Sequence, residues 1–274
     1  MIKSSIIISV YKKIHDLDLI LTALKVQSCS DFEVIIADDG SGERMQIFVH
    51  DFIKNSPYKI FFLTQNDNGF RKNKILNKAI ISASSPYLIF IDGDCIPHFD
   101  FVKHHLDNKH KNTVLCGKRV NLSKKLSSEI TKTGLLNKQL QKVRFRHFYD
   151  SFLNKEDRTT YAEHGIILEN KFLRKMVEPG EPHIVGCNFS LHKELIEKIN
   201  GFDENYIGPG IGEDSDIEFR LRLINAKFRS LKNLAILFHL HHRRTAEEKQ
   251  NYIYFDEVKN RREPVCRNGI IKYQ

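Results

Sequence analysis

The feature that most constrains this chain is the run Tyr87-Leu88-Ile89-Phe90-Ile91-Asp92-Gly93-Asp94, in which an apolar stretch ends abruptly in two carboxylates flanking a glycine. A run without polar alternation is covered on both faces, the pattern of a central strand in a parallel sheet flanked by helices. Asp92 and Asp94 then fall at the strand's C-terminal end, where open α/β sheets bind ligands. Hard carboxylate oxygens suit a divalent cation bridging a diphosphate, and Gly93 lets the backbone approach it closely. Asp-x-Asp alone also fits a surface turn; its place after this strand, and the rest of the chain, favour the ligand-holding reading.

The strand-then-helix unit recurs along the chain. Residues 4–10 read as a first buried strand, followed by Leu17, Ile20, Leu21 and Leu24 at helical spacing after an N-cap at Asp16. Residues 32–37 form a second strand ending in Asp38-Asp39-Gly40-Ser41, followed by a helix to about Lys54 and a third strand near 58–64. Ile75, Leu76, Ala79, Ile80 and Ala83 then mark a helix leading into the strand that ends at Asp92. This alternation predicts an α/β fold with a Rossmann-like, mostly parallel central sheet, helices on both faces and chemistry on the loops at the strand C-termini. Residues 113–120 read as another strand, and beyond them a basic, partly helical stretch interrupted at Gly134 and Gly165 reads as an insert or lid. Regular structure resumes with a strand at 184–191, a helix carrying Leu195, Ile196 and Ile199, and a turn at Gly201-Phe202-Asp203-Glu204. A helix from near Glu213 carries Ile217, Leu221, Ile224 and Phe228 on one face, and a final strand is expected within 231–240. One catalytic domain is thus divided into residues 1–120, the insert 121–183, residues 184–242 and a polar tail, 243–274, expected to wrap the surface.

With 274 residues, 41% of them hydrophobic, the chain can bury a substantial core. The five cysteines are scattered without Cys-x-x-Cys spacing, so reduced, mostly buried thiols are expected. No apolar segment approaches the roughly 20 residues that cross a bilayer, and residues 1–5 lead straight into a strand, so cytoplasmic residence is the expectation. The net charge of +9 is uneven: residues 118–175 hold 14 Lys or Arg against 6 Asp or Glu. Such a field suits nucleic acid, anionic lipid or an acidic or phosphorylated glycan, and equally a solvated surface with no partner. A basic nucleic-acid-binding protein lacks support from any RNA-recognition aromatic motif, zinc finger or helix-turn-helix. A nucleotidyltransferase would place glycines after the first strand, where Tyr11-Lys12-Lys13-Ile14-His15 has none. Peripheral docking at the anionic inner face of the cell membrane stays open as a use for the charge.

Three further constellations carry chemistry. Asp38-Asp39-Gly40-Ser41 ends the second strand much as Asp92 ends the fourth, so one carboxylate can accept hydrogen bonds from a base or ribose while the other cluster holds a cation; a capped turn is the plainer alternative. In Gly208-Pro209-Gly210-Ile211-Gly212-Glu213-Asp214-Ser215-Asp216 a glycine-rich loop opens a helix, and a carboxylate there can deprotonate a hydroxyl as general base or simply cap the helix. Phe238-His239-Leu240-His241-His242 places three histidines at the end of the last strand. With carboxylates, neutral imidazoles make a shell that favours manganese over magnesium, and no cysteine lies nearby for a zinc site.

These pieces, in this order from Ser4 to His242, resemble the family-2 inverting glycosyltransferases of the GT-A fold. Ser4 to Tyr11 resembles the opening nucleotide-binding strand, Asp38-Asp39-Gly40-Ser41 the uridine-contacting motif, and Asp92-Gly93-Asp94 the metal-binding Asp-x-Asp. Gln65-Asn66-Asp67-Asn68-Gly69-Phe70-Arg71-Lys72-Asn73-Lys74 resembles the segment that reaches the nucleotide and diphosphate. Gly186-Cys187-Asn188-Phe189-Ser190, Gly201-Phe202-Asp203-Glu204 and Gly212-Glu213-Asp214-Ser215-Asp216 resemble the galactosyltransferase-type C-terminal region of chondroitin-polymerase-like members. The resemblance implies a UDP-sugar donor, Mn²⁺ or Mg²⁺ as cofactor, and a glycan or glycolipid acceptor of cell-surface polysaccharide or lipopolysaccharide synthesis. It implies that Ser9, Tyr11, Asp38, Asp39, Gln65, Arg71, Lys74, Asp92 and Gly93 contact the donor. Asp94 and Asp92 with His239 or His242 would hold the metal, Asp214 would be the base, and Glu213 would contact sugar or acceptor. The family usually carries a tryptophan before the Gly-Glu-Asp motif, and this chain has none.

Overall fold

Ile6, Ile7 and Ile8 are all wholly removed from solvent, as a central strand requires, and they alternate between two cores. The computed structural model describes residues 2–142, 150–151, 158–178, 180–243 and 246–272. Strands β1 (Ser4–Val10), β2 (Phe32–Asp38), β3 (Lys59–Thr64) and β4 (Tyr87–Asp92) are separated by helices α1 (Ile14–Leu24), α2 (Glu43–Lys54) and α3 (Lys72–Ser82). Ile6 and Ile8 join Val34, Ile36, Leu17 and Val49 on one face, while Ile7 joins Ile35, Ile75, Ala79 and Phe90 on the other. Each such isoleucine contributes about 1.5–3 kcal/mol of burial.

After β4 come β5 (Cys95–Pro97), α4 (Phe101–Asn108), β6 (Thr113–Cys116), β7 (Lys118–Asn121), β8 (Phe189–His192), β9 (Lys227–Ser230) and β10 (Ile236–His239). The main sheet has the order β3-β2-β1-β4-β8-β6-β9. β1 through β4 run parallel, whereas β8 is antiparallel to both β4 and β6. Because β1 leads to β2 on one side and pairs with β4 on the other, a crevice opens beyond its C-terminal end at Val10. The small sheet has the order β5-β10-β7, and its register sets His239 opposite Cys95, next to Asp94 in the wall of that crevice.

Several sequence expectations need correction. Asp16 lies inside the first turn of α1, and Lys13 holds the N-cap position. The expected strand at 113–120 is two strands in different sheets, broken at Gly117, whose N–H bonds to Asn188 O at 2.8 Å. The buried Asn188 amide then donates to Lys118 O and Ala235 O, stitching the sheets together. In the strand expected at 184–191, regular structure begins only at Phe189 and runs to His192, and of 231–240 only 236–239 is regular. The helix from Glu213 ends at Leu223, so Phe228 sits on β9 rather than on its apolar face.

The basic insert is more than a cover. Ser123 and Thr131 cap the short helices Lys124–Ser128 and Lys132–Leu136, and Leu126, Ile130 and Leu135 enter the core that includes α1. Arg144, Arg146 and Lys155 of that stretch lie outside the described residues. The tail contributes the helix Lys249–Arg261, which buries Phe255 and Val258, and Asn200 ties it down by donating to Cys266 O and Ile271 O. None of the five cysteines is paired, and four are buried. No helix among the described residues is long and apolar enough to cross a membrane.

The helix Glu213–Leu223 is seated by a buried ion pair. Asp216 and Arg220 are each 1% exposed; Arg220 Nε donates to Asp216 Oδ2 at 2.8 Å, and its other nitrogens donate to Ile199 O and Gly201 O. Gly201 leaves no room for a side chain: at φ +74° its Cβ would overlap Asn77 Oδ1, the oxygen that accepts the Phe202 N–H. Asp216→Ala leaves a buried guanidinium without its counter-charge and is expected to cost about 3–5 kcal/mol. Urea denaturation followed by circular dichroism measures it; an unchanged midpoint would refute the seating role.

Candidate active site

The crevice beyond β1 is a cleft of about 470 Å³ whose wall includes Ser9, Tyr11, Asp39, Lys72, Asp92 and Asp94. β1 and β4 deliver Ser9 and Asp92 in register, and Ser9 Oγ donates to Asp92 Oδ1 at 2.8 Å. Gly93 N–H donates to Ser9 O at 2.7 Å. A Cβ on Gly93 would meet that oxygen at 2.8 Å, so the glycine's first duty is to the neighbouring strand.

The two acids at the end of β2 have different fates. Asp38 is fully buried and turned inward, accepting from the Ser41 backbone and hydroxyl and from Thr64 Oγ1 at 2.7 Å. Asp39 faces the cleft and accepts from Gln65 Nε2 at 2.7 Å and the Arg71 N–H at 2.8 Å; burial raises its carboxyl above the ordinary range. Thus Gln65 and Arg71 reach the site through Asp39, with the Arg71 guanidinium on Phe70 O. Tyr11 is 43% exposed at the cleft mouth, its hydroxyl donating to Asp67.

Asp94 lies across the cleft with the histidines. His242 Nε2 is 3.2 Å from Asp94 Oδ2, His239 Nε2 is 3.5 Å from Oδ1, and the two imidazole nitrogens are 3.2 Å apart. One ligand atom from each of these residues fits within 4.8 Å of the others. Asp92 stands outside this cluster, and His241 is exposed, its backbone N–H on Ser127 Oγ. Burial works against ionising Asp94, but His242, His239 and Lys13 hold it well below the usual carboxylate range. Burial also lowers His239 to about 4, while the bond to Asp94 raises His242. A carboxylate beside a neutral imidazole and a second histidine fits Mn²⁺ in donor chemistry and spacing.

Two lysines that the sequence reading did not single out complete the electrostatics. Lys13 Nζ donates to Asp94 Oδ2 at 2.7 Å. Lys72 Nζ donates to Asp92 Oδ1 at 2.7 Å and to Glu213 Oε1 at 2.5 Å, joining the two halves of the chain. Burial alone would lower the Lys72 ammonium, but these carboxylates raise it, and burial in turn raises Glu213. Lys74, expected at the site, is exposed on the far side of α3. The signal was present: Lys72 shares a helical face with Ile75, Leu76 and Ala79 at spacings of three, four and seven, whereas Lys74 falls opposite.

Asp214 enters from the first turn of its helix, its Oδ2 accepting the Gly186 N–H at 3.2 Å and its Oδ1 accepting the Ser215 N–H at 2.8 Å. It shares a small pocket with Ser9, Asp92, Lys72 and Glu213. The three segments bearing Asp39, Asp92 with Asp94, and Asp214 therefore meet at one rim.

The sequence profile of glycosyl transferase family 2 matches residues 5–199, most of the chain. The chain belongs to this family. A second profile, the N-terminal domain of galactosyltransferase, matches residues 174–243, overlapping the helix that bears Asp214. This glycosyltransferase is 26% identical to the chondroitin synthase of Escherichia coli over 241 residues, covering 86% of the chain and 34% of the relative. It is also 26% identical to the chondroitin synthase of Pasteurella multocida over 237 residues, covering 82% and 23% respectively, so it spans about a third or less of these relatives' length. Among solved structures it is similar to the mannosyltransferase PcManGT of Pyrobaculum calidifontis in complex with GDP-Man and Mn²⁺, with a TM-score of 0.58 at 13% identity over 88% of this chain and 58% of that one. It is also similar to TarS of S. aureus in complex with UDP-GlcNAc, with a TM-score of 0.53 at 16% identity over 89% and 60%. The fold is that of the GT-A glycosyltransferases, and family membership decides for sugar transfer over nucleotidyl transfer.

Because the hydrogen bond to Asp94 raises His242 above its ordinary range, protons compete with a cation for its nitrogen into the neutral range. Mn²⁺ affinity measured by calorimetry without nucleotide is expected to rise with pH through that range, as the nitrogen is freed. His239→Ala is expected to weaken it at least about tenfold at neutral pH. An affinity that ignores both pH and this substitution would place the cation elsewhere.

Proposed function

We propose that this glycosyltransferase moves a sugar from a UDP-sugar to a hydroxyl of a glycan or glycolipid, with inversion at the anomeric carbon. The observation that carries the reading is the placement of Asp214 beside Asp92 in one pocket, reached through Lys72. Of the three acids in that helical turn, Asp216 is buried against Arg220 and Glu213 is held by Lys72. Asp214 alone keeps a carboxylate toward the pocket with no cationic side chain bonded to it among the described residues.

In the proposed reaction Asp214 accepts the proton of the acceptor hydroxyl while that oxygen forms its bond to the anomeric carbon. The bond from that carbon to the diphosphate oxygen breaks on the opposite face, and the electron pair leaves with the diphosphate. Asp39 receives the base or ribose at the cleft wall, and the Lys72 ammonium offers fixed positive charge where the leaving group gathers negative charge. Asp94, His239 and His242 would hold the divalent ion, which when bound supplies further positive charge to the diphosphate. The names of the chondroitin synthase relatives support a glycan acceptor, and TarS with UDP-GlcNAc supports a UDP-sugar donor.

Asp214→Asn keeps the shape but cannot take a proton, and transfer is expected to fall by roughly 10²–10⁴ while UDP and Mn²⁺ binding by calorimetry stay near wild type. Turnover within a few-fold of wild type would remove Asp214 from the role of base. UDP release across a panel of UDP-sugars, with GDP-sugars as the contrast, tests the donor assignment separately.

A further inference from the structure

The short helix Lys171–Val177 buries none of its residues. Phe172 is 71% exposed and Met176 64%, with Leu173 and Val177 both close to half exposed. At about 100° per residue these four side chains fill one arc of about 140°, and Lys171, Arg174 and Lys175 fill the other side. The segment contains no acid and no neutral polar residue.

The helix is nonetheless anchored by polar contacts. Asn170 caps it by accepting the Phe172 and Leu173 N–H groups. Arg174 donates to Leu168 O and Glu169 O at 2.6 and 2.7 Å, and Lys232 Nζ donates to Val177 O at 2.8 Å. Ser230 Oγ bonds to Glu178 just beyond its end. These bonds fix the backbone and leave the apolar arc outward, so no described residue covers it.

We infer that this helix is a docking element for an anionic membrane surface: Phe172, Leu173, Met176 and Val177 enter the acyl boundary while Lys171 and Lys175 lie at the level of the phosphates. An apolar arc bordered only by cations is the pattern of an interfacial helix. A protein partner fits less well, because lysine is depleted from the cores of protein interfaces. Lys232 at the helix end and Arg229 beside Arg174 add the same sign of charge next to the helix, and an anionic leaflet rewards each such residue.

Flotation of the full chain with vesicles of phosphatidylcholine, with and without phosphatidylglycerol, tests this. The wild type is expected to float with phosphatidylglycerol-containing vesicles and to stay behind with phosphatidylcholine alone. Phe172→Ser combined with Met176→Ser, and separately Lys171→Glu combined with Lys175→Glu, should each reduce the bound fraction about tenfold or more. Melting temperatures should hold, since these side chains are exposed. No flotation of the wild type, flotation indifferent to phosphatidylglycerol, or equal flotation of either variant overturns the inference. Self-association abolished by the Phe172 and Met176 substitutions, without vesicle binding, also overturns it and gives the face to a second copy of the chain.

Discussion

Negative charge must be gathered at one rim of the sheet without driving that rim apart, and the Lys72 ammonium is what makes this possible. By donating to both Asp92 and Glu213, it brings two carboxylates to within about 5 Å, where their mutual repulsion alone would be about 3 kcal/mol at an effective dielectric near 20. Asp92 comes from the end of β4 and Glu213 from the region matched to galactosyltransferase, so the same contact joins the two and balances their charge. Lys13 and the histidines do the equivalent for Asp94. Asp92, Glu213 and Asp94 are consequently each held by a lysine, while Asp39 and Asp214 are held by N–H groups. In the proposed reaction the donor's diphosphate would add negative charge beside Lys72 and Lys13.

The second constraint is geometric. Asp94 and the histidines are about 145 residues apart in sequence, yet they meet because β5 and β10 pair antiparallel, with His239 opposite Cys95 and the Leu240 N–H on Asp94 O. That small sheet depends on the chain leaving the main sheet at Gly117, and the buried Asn188 amide holds both sides of the switch. A one-residue slip in the β5–β10 register would turn His239 away from Asp94.

Much of this was legible from residues alone where runs were long and apolar. β1, β2 and β4 stand where the isoleucine-rich runs placed them, and the carboxylates at their ends followed, because burial on both faces leaves little choice of structure. The second half was less legible for a physical reason: β6 through β10 are four residues each, too short for periodicity to separate strand from helix, and their pairing is long-range. Asp38 and Asp39 show the same limit in the site. Adjacent in a motif, they point opposite ways, one into the Ser41 turn and one into the cleft. Lys72 could have been chosen over Lys74 by helical phase; Lys13 could not, since it precedes α1 and only the tertiary fold brings it to Asp94.

The absent tryptophan bears on how the wall near Glu213 is built. Tyr206 is the aromatic residue preceding the Gly-Glu-Asp motif, but its ring packs edge-on against Tyr254 at 5.1 Å and its hydroxyl donates to Asp216 Oδ1 at 3.2 Å. It is 2% exposed. Its work is therefore to seat the helix that carries Asp214, along with Arg220, and it has no free face to stack on a sugar. The wall beside Glu213 is formed by Phe70, Pro209 and the glycines around it, together with Lys72, Asn73 and an edge of Tyr206, with Pro209 O fixed by the Glu248 N–H at 2.8 Å. Under the proposed function, a sugar entering there would meet a half-buried phenyl ring and backbone rather than an indole, which shifts discrimination toward polar groups such as Lys72, Asn73 and Glu213.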